Sequence, residues 1–499
     1  MALAFAGAAR GGHHGDSKVL VMRPHNRGSR DLLRGRDGLA VAASRAVSAI
    51  SRQGGHGGTA LPGLVAEWIA PGLVAKIADD LQSIALVSGT NGKTTASHLL
   101  VHILERDGRK VVSNRSGANL RQALATSLVA ESGVNGRLHR RGAVGVFEVD
   151  EASLASVTGI VSVSQLILLN LFRDQLDRFG ETDAIIRSWE ELCAGLPVAA
   201  VVVFCADDPR LAHLVSTRSG PSIEFGLSEP PVRSPEVALT PDVTMCPRCD
   251  GSLAYSWAGV GHLGGFACQK YGFSRHEPSL GVRVVTSRGI DGQTLAFRGP
   301  AIPQELTAVV RLPGTSNAYN AAAAVAAAIS VGITVERAVA ALADARPAFG
   351  RYEDVEIDGR RVVLTLGKNP ASLAELVRIA MESEVAAVLF AVNDGFADGQ
   401  DVSWYWDVDV APLLNGRPYG ISGARAPDLV LRLKYGAADG AGGMPPGFAG
   451  TFDNPIMGLD RLAALTSRGD TVFVIATYTA LLGIRHDFVA RSLLPEHPR

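Results

Sequence analysis

The stretch that decides the fold is residues 84–95, which read Ile-Ala-Leu-Val-Ser-Gly-Thr-Asn-Gly-Lys-Thr-Thr. Residues 84–87 are a short apolar run typical of a buried strand, and a helical apolar pattern follows Thr95 through Leu104. Glycines between a strand and a helix let backbone N–H groups face an anion, and the helix dipole adds positive potential there. The stretch therefore predicts a phosphate-binding loop between a strand and a helix.

The loop also carries side chains suited to a nucleotide. Lys93 would neutralise phosphate charge, and the Thr94 hydroxyl would ligate Mg²⁺. An ordinary glycine-containing turn is the alternative, because Val87 stands where the general phosphate-loop pattern has its first glycine. The predicted nucleotide-binding residues of the loop are Gly89, Thr90, Asn91, Gly92, Lys93, Thr94 and Thr95.

Outward from the loop, short β-rich runs alternate with helical stretches, which predicts an α/β fold with a parallel sheet. Residues 226 to about 300 break this alternation with Pro, Gly, Cys and short strands, and we expect an inserted β-rich module there. A second α/β series begins after residue 351. We therefore predict a disordered extension over residues 1–36, a central α/β domain over 37–351 that contains the insertion, and a Rossmann-like α/β domain over 352–499.

Charge and composition exclude several classes of protein. Lys+Arg (48) and Asp+Glu (49) nearly balance, which argues against a protein that coats nucleic acid. No apolar run reaches the ~18–20 residues that a membrane span needs. Five cysteines in a chain of 499 residues do not form a disulfide framework. We expect a reduced, cytoplasmic chain with no transmembrane segment and no nucleic-acid partner.

Three cysteines, Cys246, Cys249 and Cys268, have the spacing of an incomplete zinc ribbon. Tyr271 occupies the position of the fourth cysteine. His262 or His276 could supply the fourth ligand, although neither has the usual spacing. A ribbon folded without metal is the alternative, and we expect no tightly held Zn²⁺.

The loop sequence Gly-Thr-Asn-Gly-Lys-Thr resembles the nucleotide loop of the Mur ligase superfamily. This superfamily includes folylpolyglutamate synthetase and forms amide bonds through an ATP-derived acyl phosphate. Four more stretches resemble family motifs in the expected order, at residues 147–151, 170–177, 313–320 and 349–351.

This resemblance implies that ATP and Mg²⁺ are the cofactors and assigns residues to each. It implies that Glu148 and Thr94 hold Mg²⁺, that Asn317 lies near the adenine, and that Arg351 binds ATP at a hinge before the last domain. Gln175 replaces a histidine that usually helps to bind metal, which leaves a second metal position open.

The most specific stretches resemble the MurT subfamily, the synthetase subunits of lipid II isoglutaminyl synthase. They are residues 246–249, 272–275, 368–370 and 393–407. The resemblance implies ATP-dependent amidation of the D-glutamate α-carboxylate of lipid II at the inner face of the plasma membrane. It also implies a heterodimer with a GatD-like glutamine amidotransferase that releases ammonia, since no cysteine here has the context of a glutaminase nucleophile.

Other functions explain less of the sequence. A folylpolyglutamate-synthetase-like amino-acid ligase explains the loop but neither the cysteine cluster nor residues 393–407. A nucleotide-binding scaffold without activity is disfavoured by the intact Lys93, Thr94 and Glu148.

Residues 393–407 combine several aspartates with three aromatic residues. A loop of turn-forming aspartates above an aromatic core patch is one interpretation. The resemblance implies another, in which Asp398 or Asp401 completes the Cys–His pair of the partner glutaminase as its third catalytic residue. Both aspartates flank Gly399, and their spacing does not choose between them.

Overall fold

The computed structural model describes residues 27–53, 60–114, 121–173, 182–231, 243–347, 350–395, 397–436 and 442–495. Three helices precede the first strand: α1 (Arg27–Gln53), α2 (Leu61–Ile69) and α3 (Leu73–Ala78). Helix α1 begins inside the extension predicted to be disordered over 1–36, because helix formers such as Leu32 and Leu33 lie among its glycines and arginines. Residues 1–26 of that predicted extension lie outside the described residues.

A nine-stranded sheet forms the body of the first unit, in the order β11-β10-β9-β6-β5-β4-β1-β3-β2. The strands of this unit are β1 (Ser83–Ser88), β2 (Val111–Ser113), β3 (Val144–Glu148), β4 (Gln165–Leu168), β5 (Val201–Cys205), β6 (Ser222–Leu227), β7 (Leu253–Val260), β8 (Leu263–Cys268), β9 (Leu280–Ser287), β10 (Gln293–Gly299) and β11 (Ile302–Val310). The six strands β1 to β6 pair in parallel, so the predicted α/β class with a parallel sheet is confirmed.

The helices of this unit connect and cover the sheet. They are α4 (Lys93–Arg106), α5 (Arg121–Ala130), α6 (Leu154–Thr158), α7 (Thr182–Gly195), α8 (Pro209–Ser216), α9 (Thr315–Ser330) and α10 (Val335–Ala341). Helix α9 is buried along most of its length because its alanines let it pack closely against α4 and the sheet.

The inserted module is smaller than the predicted range of 226 to about 300. Strand β9 pairs in parallel with β6, and β10 and β11 extend the same sheet in antiparallel fashion. Among the described residues of this range, only the β7–β8 hairpin stands apart, as a two-stranded sheet. Pro and Gly residues made this whole range resemble a separate module in the sequence, although β9, β10 and β11 belong to the main sheet.

The second unit is a six-stranded sheet in the order β12-β13-β17-β14-β15-β16, parallel except for β12. Its strands are β12 (Glu353–Ile357), β13 (Arg360–Leu366), β14 (Val385–Ala391), β15 (Tyr419–Ser422), β16 (Phe448–Phe452) and β17 (Thr471–Ala476). Its helices are α11 (Pro370–Met381), α12 (Ala411–Leu414), α13 (Ala426–Tyr435), α14 (Pro455–Ala463) and α15 (Tyr478–Ala490). In the described part of the chain, no helix combines the length and the apolar character needed to cross a bilayer.

A buried carboxylate fastens the hairpin region to the main sheet. Asp207, directly after β5, accepts hydrogen bonds from Arg275 Nε at 2.6 Å, from the Tyr319 hydroxyl at 2.6 Å and from Leu227 N at 2.9 Å. Burial raises the pKa of Asp207 even though Arg275 opposes the rise. The hairpin region, the sheet and α9 therefore share one buried charged group.

Replacing Tyr319 by Phe should remove one hydrogen bond from this buried carboxylate. We expect the free energy of unfolding to fall by about 1.5–3 kcal/mol, the range for a hydrogen bond to a charged group. Urea unfolding followed by circular dichroism measures the loss. Tyr271→Phe is the matched control, because Tyr271 is 68% exposed and should leave the midpoint unchanged. Equal midpoints for both variants would contradict the assignment.

Candidate functional site

The predicted phosphate loop lies at the carboxyl end of β1, where the chain turns into α4. Gly89 and Gly92 have φ values of +144° and +89°, which favour glycine. A Cβ at Gly92 would lie 2.0 Å from Asn320 Oδ1, so a side chain there would collide with α9. The backbone conformation therefore requires glycine at both positions, and the contact with α9 also requires it at Gly92.

Residues that follow β4 hold the phosphate loop through hydrogen bonds. The side-chain amide of Asn170 accepts a hydrogen bond from Asn91 N at 2.9 Å and donates one to Asn91 O at 3.0 Å. The Thr90 hydroxyl accepts a hydrogen bond from Phe172 N at 3.0 Å. Asn170 could not be assigned a role from the sequence, although it lies in a stretch that resembles a family motif. Residues 174–177 of that stretch, including Gln175, lie outside the described residues.

Lys93 lies at the centre of the site. Its ammonium donates to Gly89 O at 2.6 Å and forms an ion pair with Glu151 Oε2 at 2.9 Å, and both side chains are largely buried. Burial disfavours the charge of Lys93, but Glu151, Asp150 and Glu148 outweigh this effect and raise the pKa of Lys93. The lysine therefore stays cationic in the phosphate loop.

The two predicted magnesium ligands meet beside Lys93. Glu148, at the end of β3, is hydrogen-bonded to the Thr94 side chain. Its backbone is fixed by Asn114, whose Oδ1 accepts from Glu148 N at 2.9 Å and whose Nδ2 donates to Glu148 O at 2.7 Å. Burial raises the pKa of Glu148, while Lys93 opposes the rise. A buried carboxylate beside a hydroxyl is a set of oxygen donors that suits Mg²⁺.

Two cationic side chains, in or just before the second unit, act on the acids of this cluster. Arg351 and Lys368 both oppose the rise that burial causes in the pKa of Glu148, and Lys368 also acts on Asp150 and Glu151. The sequence placed Arg351 at the nucleotide but gave Lys368, Asp150 and Glu151 no role. Lys368 could not be paired with the loop from the sequence, because the two are brought together only by the packing of two units.

An amide pair joins the phosphate loop directly to the second unit. Asn369 Nδ2 donates to Asn91 Oδ1 at 2.9 Å, and Asn91 Nδ2 donates to Asn369 Oδ1 at 3.2 Å. Asn369 is also the N-cap of α11, where its side chain accepts from Ser372 N at 3.0 Å. This capping hydrogen bond therefore holds the Asn369 side chain in the orientation that contacts Asn91.

The start of α9 completes the junction. Asn317 donates to Pro313 O at 2.7 Å and accepts from Asn320 Nδ2 at 3.1 Å, so it lies one helical turn from the loop contact of Asn320. Glu375 of α11 accepts from Ser316 N at 3.1 Å and pairs with Arg378 at 2.9 Å. A carboxylate from the second unit thus satisfies the N-terminus of a helix in the first.

The predicted site residues fall into three separate places. The loop residues, Glu148, Asn317 and Arg351 lie at the junction of the two units, and Thr95 is buried in the first turn of α4. Asp398 and Asp401 lie in a loop after β14, at the carboxyl end of the second sheet. The cysteines lie in and beside the β7–β8 hairpin.

Asp398 and Asp401 have different surroundings. The buried Asp398 carboxylate accepts hydrogen bonds from Gly395 N at 3.0 Å, from Thr479 N at 2.8 Å and from the Thr479 hydroxyl. Asp401 is half-buried and accepts from Ser403 N at 2.9 Å, and hydrogen bonds from the Ser403 side chain and then from its backbone lower the pKa of Asp401. Asp398 therefore shapes the loop, and Asp401 lies nearer its surface.

The three cysteine thiols are close enough to share one ion. Their sulfur atoms all lie within 4.8 Å of one another, and the Sγ atoms of Cys249 and Cys268 are 3.5 Å apart. Backbone amide hydrogen bonds, first that of Lys270, lower the pKa of Cys268 to about 7. Cys246, Cys249 and Cys268 therefore fit a zinc site that lacks one ligand.

Neither predicted histidine completes this site. His262 is fully buried, and its Nε2 lies 3.1 Å from Asp208 Oδ2. Its ring also packs edge-on against Phe172 at a centroid distance of 4.9 Å. His276 is exposed and does not belong to the thiol cluster. His262 was therefore wrongly considered as a ligand, and it is instead a core residue that supports the segment holding Thr90.

Two family models match this chain. The model described as the Mur ligase middle domain matches residues 87–250, and the model described as MurT ligase C-terminal matches residues 366–481. The first match contains the phosphate loop and Glu148, and the second contains Lys368, Asn369 and the Asp398 loop.

Curated relatives cover most of the chain. It is 29% identical to the MurT subunit of lipid II isoglutaminyl synthase (glutamine-hydrolyzing) of Staphylococcus aureus strain COL, over 79% of this chain and 85% of that protein. It is 28% identical to the protein of the same name in Streptococcus pneumoniae strain R6, over 91% of this chain and 98% of that protein. Among solved structures, a pseudomurein peptide ligase type C from Methanothermus fervidus matches with a TM-score of 0.61 and 18% identity, over 82% of this chain and 79% of that one.

The missing fourth ligand gives a prediction about metal content. We expect the purified protein to hold less than one equivalent of zinc per chain, because three thiolates leave a tetrahedral site open. Elemental analysis measures the content. Tyr271→Cys should raise it and Tyr271→Phe should not. A full equivalent of zinc in the unaltered protein would contradict the prediction.

Proposed function

Because the chain belongs to the MurT subfamily of the Mur ligase superfamily and is an ATP-dependent ligase, we propose that it amidates the D-glutamate α-carboxylate of lipid II. The product is D-isoglutamine within the peptidoglycan precursor, and the reaction takes place at the inner face of the plasma membrane. The observation that carries the proposal is the buried cluster of Lys93, Thr94 and Glu148, assembled where the two units meet. The curated relatives with high coverage are named for this reaction.

The chemistry requires a better leaving group than the carboxylate provides. The substrate carboxylate oxygen attacks the γ-phosphorus of ATP, the bond to the β,γ-bridging oxygen breaks, and ADP leaves. Ammonia then attacks the acyl carbon, loses a proton, and inorganic phosphate leaves with its bonding electrons. Each step is helped chiefly by positioning and by neutralisation of phosphate charge.

The residues of this chain divide these tasks. Lys93 stabilises the charge that develops on the transferred phosphoryl group, and the loop amides after β1 cradle the phosphates. Glu148 and Thr94 would hold Mg²⁺, which would supply Lewis-acid neutralisation of phosphate charge. Asn317, in the first turn of α9, and Arg351, which acts on Glu148, would hold the remainder of the nucleotide.

The chain needs an outside source of ammonia. Burial raises the pKa of Cys193 to about 12 and raises that of Cys205 well above its ordinary value, so neither thiol suits nucleophilic attack on glutamine. The remaining cysteines form the thiol cluster. We therefore assign glutamine hydrolysis to a GatD-like amidotransferase that forms a heterodimer with this chain.

Asp401 is the better candidate for the third residue of the partner's catalytic triad. Such a carboxylate must remain ionised and reach an imidazole on another surface. The Asp398 carboxylate is already occupied by Gly395 and Thr479, whereas that of Asp401 is half-buried and has a lowered pKa.

One assay tests the proposed function. The purified chain is given ATP with lipid II and ammonium, with folate and glutamate, or with neither acceptor, and phosphate release is followed. We expect release only with lipid II and ammonium, together with an amidated product seen by mass spectrometry. Release with folate and glutamate would instead assign the site to a folylpolyglutamate-synthetase-like ligase.

Lys93→Met should reduce the rate of ammonia-dependent amidation by about 10²-fold or more, as expected for loss of a group that stabilises transition-state charge. Lys76→Met is the matched control, because Lys76 is also ion-paired, with Asp37, but belongs to α3 and not to the phosphate loop. Near-normal turnover of a folded Lys93→Met protein would remove Lys93 from the site.

Asp401→Asn should abolish amidation driven by glutamine and spare amidation driven by added ammonium, when both are measured on the complex with the glutaminase. Asp401 is not a member of the cluster of Lys93, Thr94 and Glu148, so amidation driven by ammonium should be retained. Asp398→Asn is the comparison, and we expect it to disturb the loop and to lower the melting temperature. Full glutamine-driven activity in Asp401→Asn, or equal loss of both activities, would reject the assignment.

A further inference from the structure

Helix α2 presents an apolar stripe to solvent. Leu61, Leu64 and Trp68 are 52%, 50% and 82% exposed, and their spacing of three and four residues places them on one face. The helix has a single charged residue, Glu67, which pairs with Arg121 at 3.0 Å. The outward face of α2 is therefore uncharged.

The inner face of α2 is already packed. A Cβ at Gly63 would lie 2.2 Å from Gln122 O, and Gly63 N donates to the Thr126 hydroxyl at 2.8 Å. Pro62 and Ala66 are buried on the same side. The face of α2 that carries Pro62, Gly63 and Ala66 therefore packs against α5. The exposed stripe lies outside this buried contact.

Helix α1 continues this surface. Leu39 and Ile50 are 61% and 69% exposed, and Ala42 and Ala46 are also exposed, at spacings that place all four on one face. Arg36 Nε donates to Ile69 O at 3.2 Å, which places this part of α1 beside the end of α2. Two neighbouring helices thus both present apolar outward stripes, and such a surface marks an interaction site.

The charge of α1 indicates what the surface contacts. Within the described residues, the exposed guanidinium groups of Arg36 and Arg45 donate to backbone carbonyls and pair with no carboxylate, and Asp37 is paired with Lys76. Apolar residues flanked by arginines, with a tryptophan at the edge, are the composition of a helix that lies on an anionic bilayer.

We propose that the outward faces of α1 and α2 form a docking surface for an anionic lipid bilayer, with Leu64 and Trp68 inserted among the head groups. The surface is separate from the nucleotide cluster. It would hold the chain at the interface where a lipid-linked substrate is found, so in that respect it extends the proposed function. Binding to lipid is measured without ATP, substrate or partner, so its failure leaves the amidation assay intact.

Sedimentation with vesicles is the first test. The full chain should bind vesicles that contain phosphatidylglycerol, bind phosphatidylcholine vesicles more weakly, and lose part of the difference at high salt. Leu64→Ser and Trp68→Ser should each weaken binding by about tenfold or more. Val198→Ser is the matched control, because Val198 is 73% exposed and lies in another part of the fold. No binding by the unaltered chain, or binding unaffected by both variants, would overturn the proposal.

Fluorescence quenching by brominated phospholipids is a second test that does not depend on a destabilised variant. Quenching should disappear in Trp68→Phe, which keeps an apolar anchor and should keep binding, and should persist in Trp406→Phe, which removes another exposed tryptophan. Quenching lost in Trp406→Phe and retained in Trp68→Phe would reject the surface. A solution dimer that is abolished by Trp68→Ser, together with no vesicle binding, would assign the surface to self-association and also reject the proposal.

Discussion

A single buried cation organises the candidate site. Lys93 is buried at the first residue of α4, directly after the loop from β1, and three acids from the end of β3 onward keep it charged. Burial of an uncompensated charge is costly, so the loop and the acidic segment must be assembled together. The three acids outnumber the single cation Lys93 in this cluster. Lys368 and Arg351, near the second unit, supply further positive charge to it. The charge balance of the phosphate loop thus depends on the packing of residues distant in sequence.

The same junction is also held by uncharged and capping contacts. Asn369 pairs with Asn91 while capping its own helix, and Glu375 satisfies the start of α9. Helix α11 therefore contributes to two elements of the first unit through its first turns. Because Asn320 of α9 packs on Gly92, a shift of α11 against α9 would be transmitted to the loop by direct contact.

The sequence allowed the loop and the fold class to be predicted because both depend on local patterns. A strand, two glycines and Gly-Lys-Thr lie within a few residues of one another, and the alternation of strands and helices needs only short windows. The partners of the loop were missed for the opposite reason. Lys368 and Asn369 are separated from Lys93 by most of the chain, and nothing local marks an asparagine N-cap as a contact between units. Residues 27–36, part of the extension predicted to be disordered, are helical, and β9 to β11, part of the predicted insertion, belong to the main sheet. Glycines in both stretches, and prolines in the second, hid the regular structure in the sequence.

The amide pair between Asn91 and Asn369 has a consequence for the stability of the junction. Amide side chains do not titrate, and they carry no net charge for salt to screen. Separating them exchanges two hydrogen bonds between side chains for hydrogen bonds to water, at a net cost of about 1–3 kcal/mol in total. The contribution of this amide pair to the stability of the junction is therefore nearly independent of pH and ionic strength, whereas that of the charged contacts made by Lys368 and Arg351 depends on both.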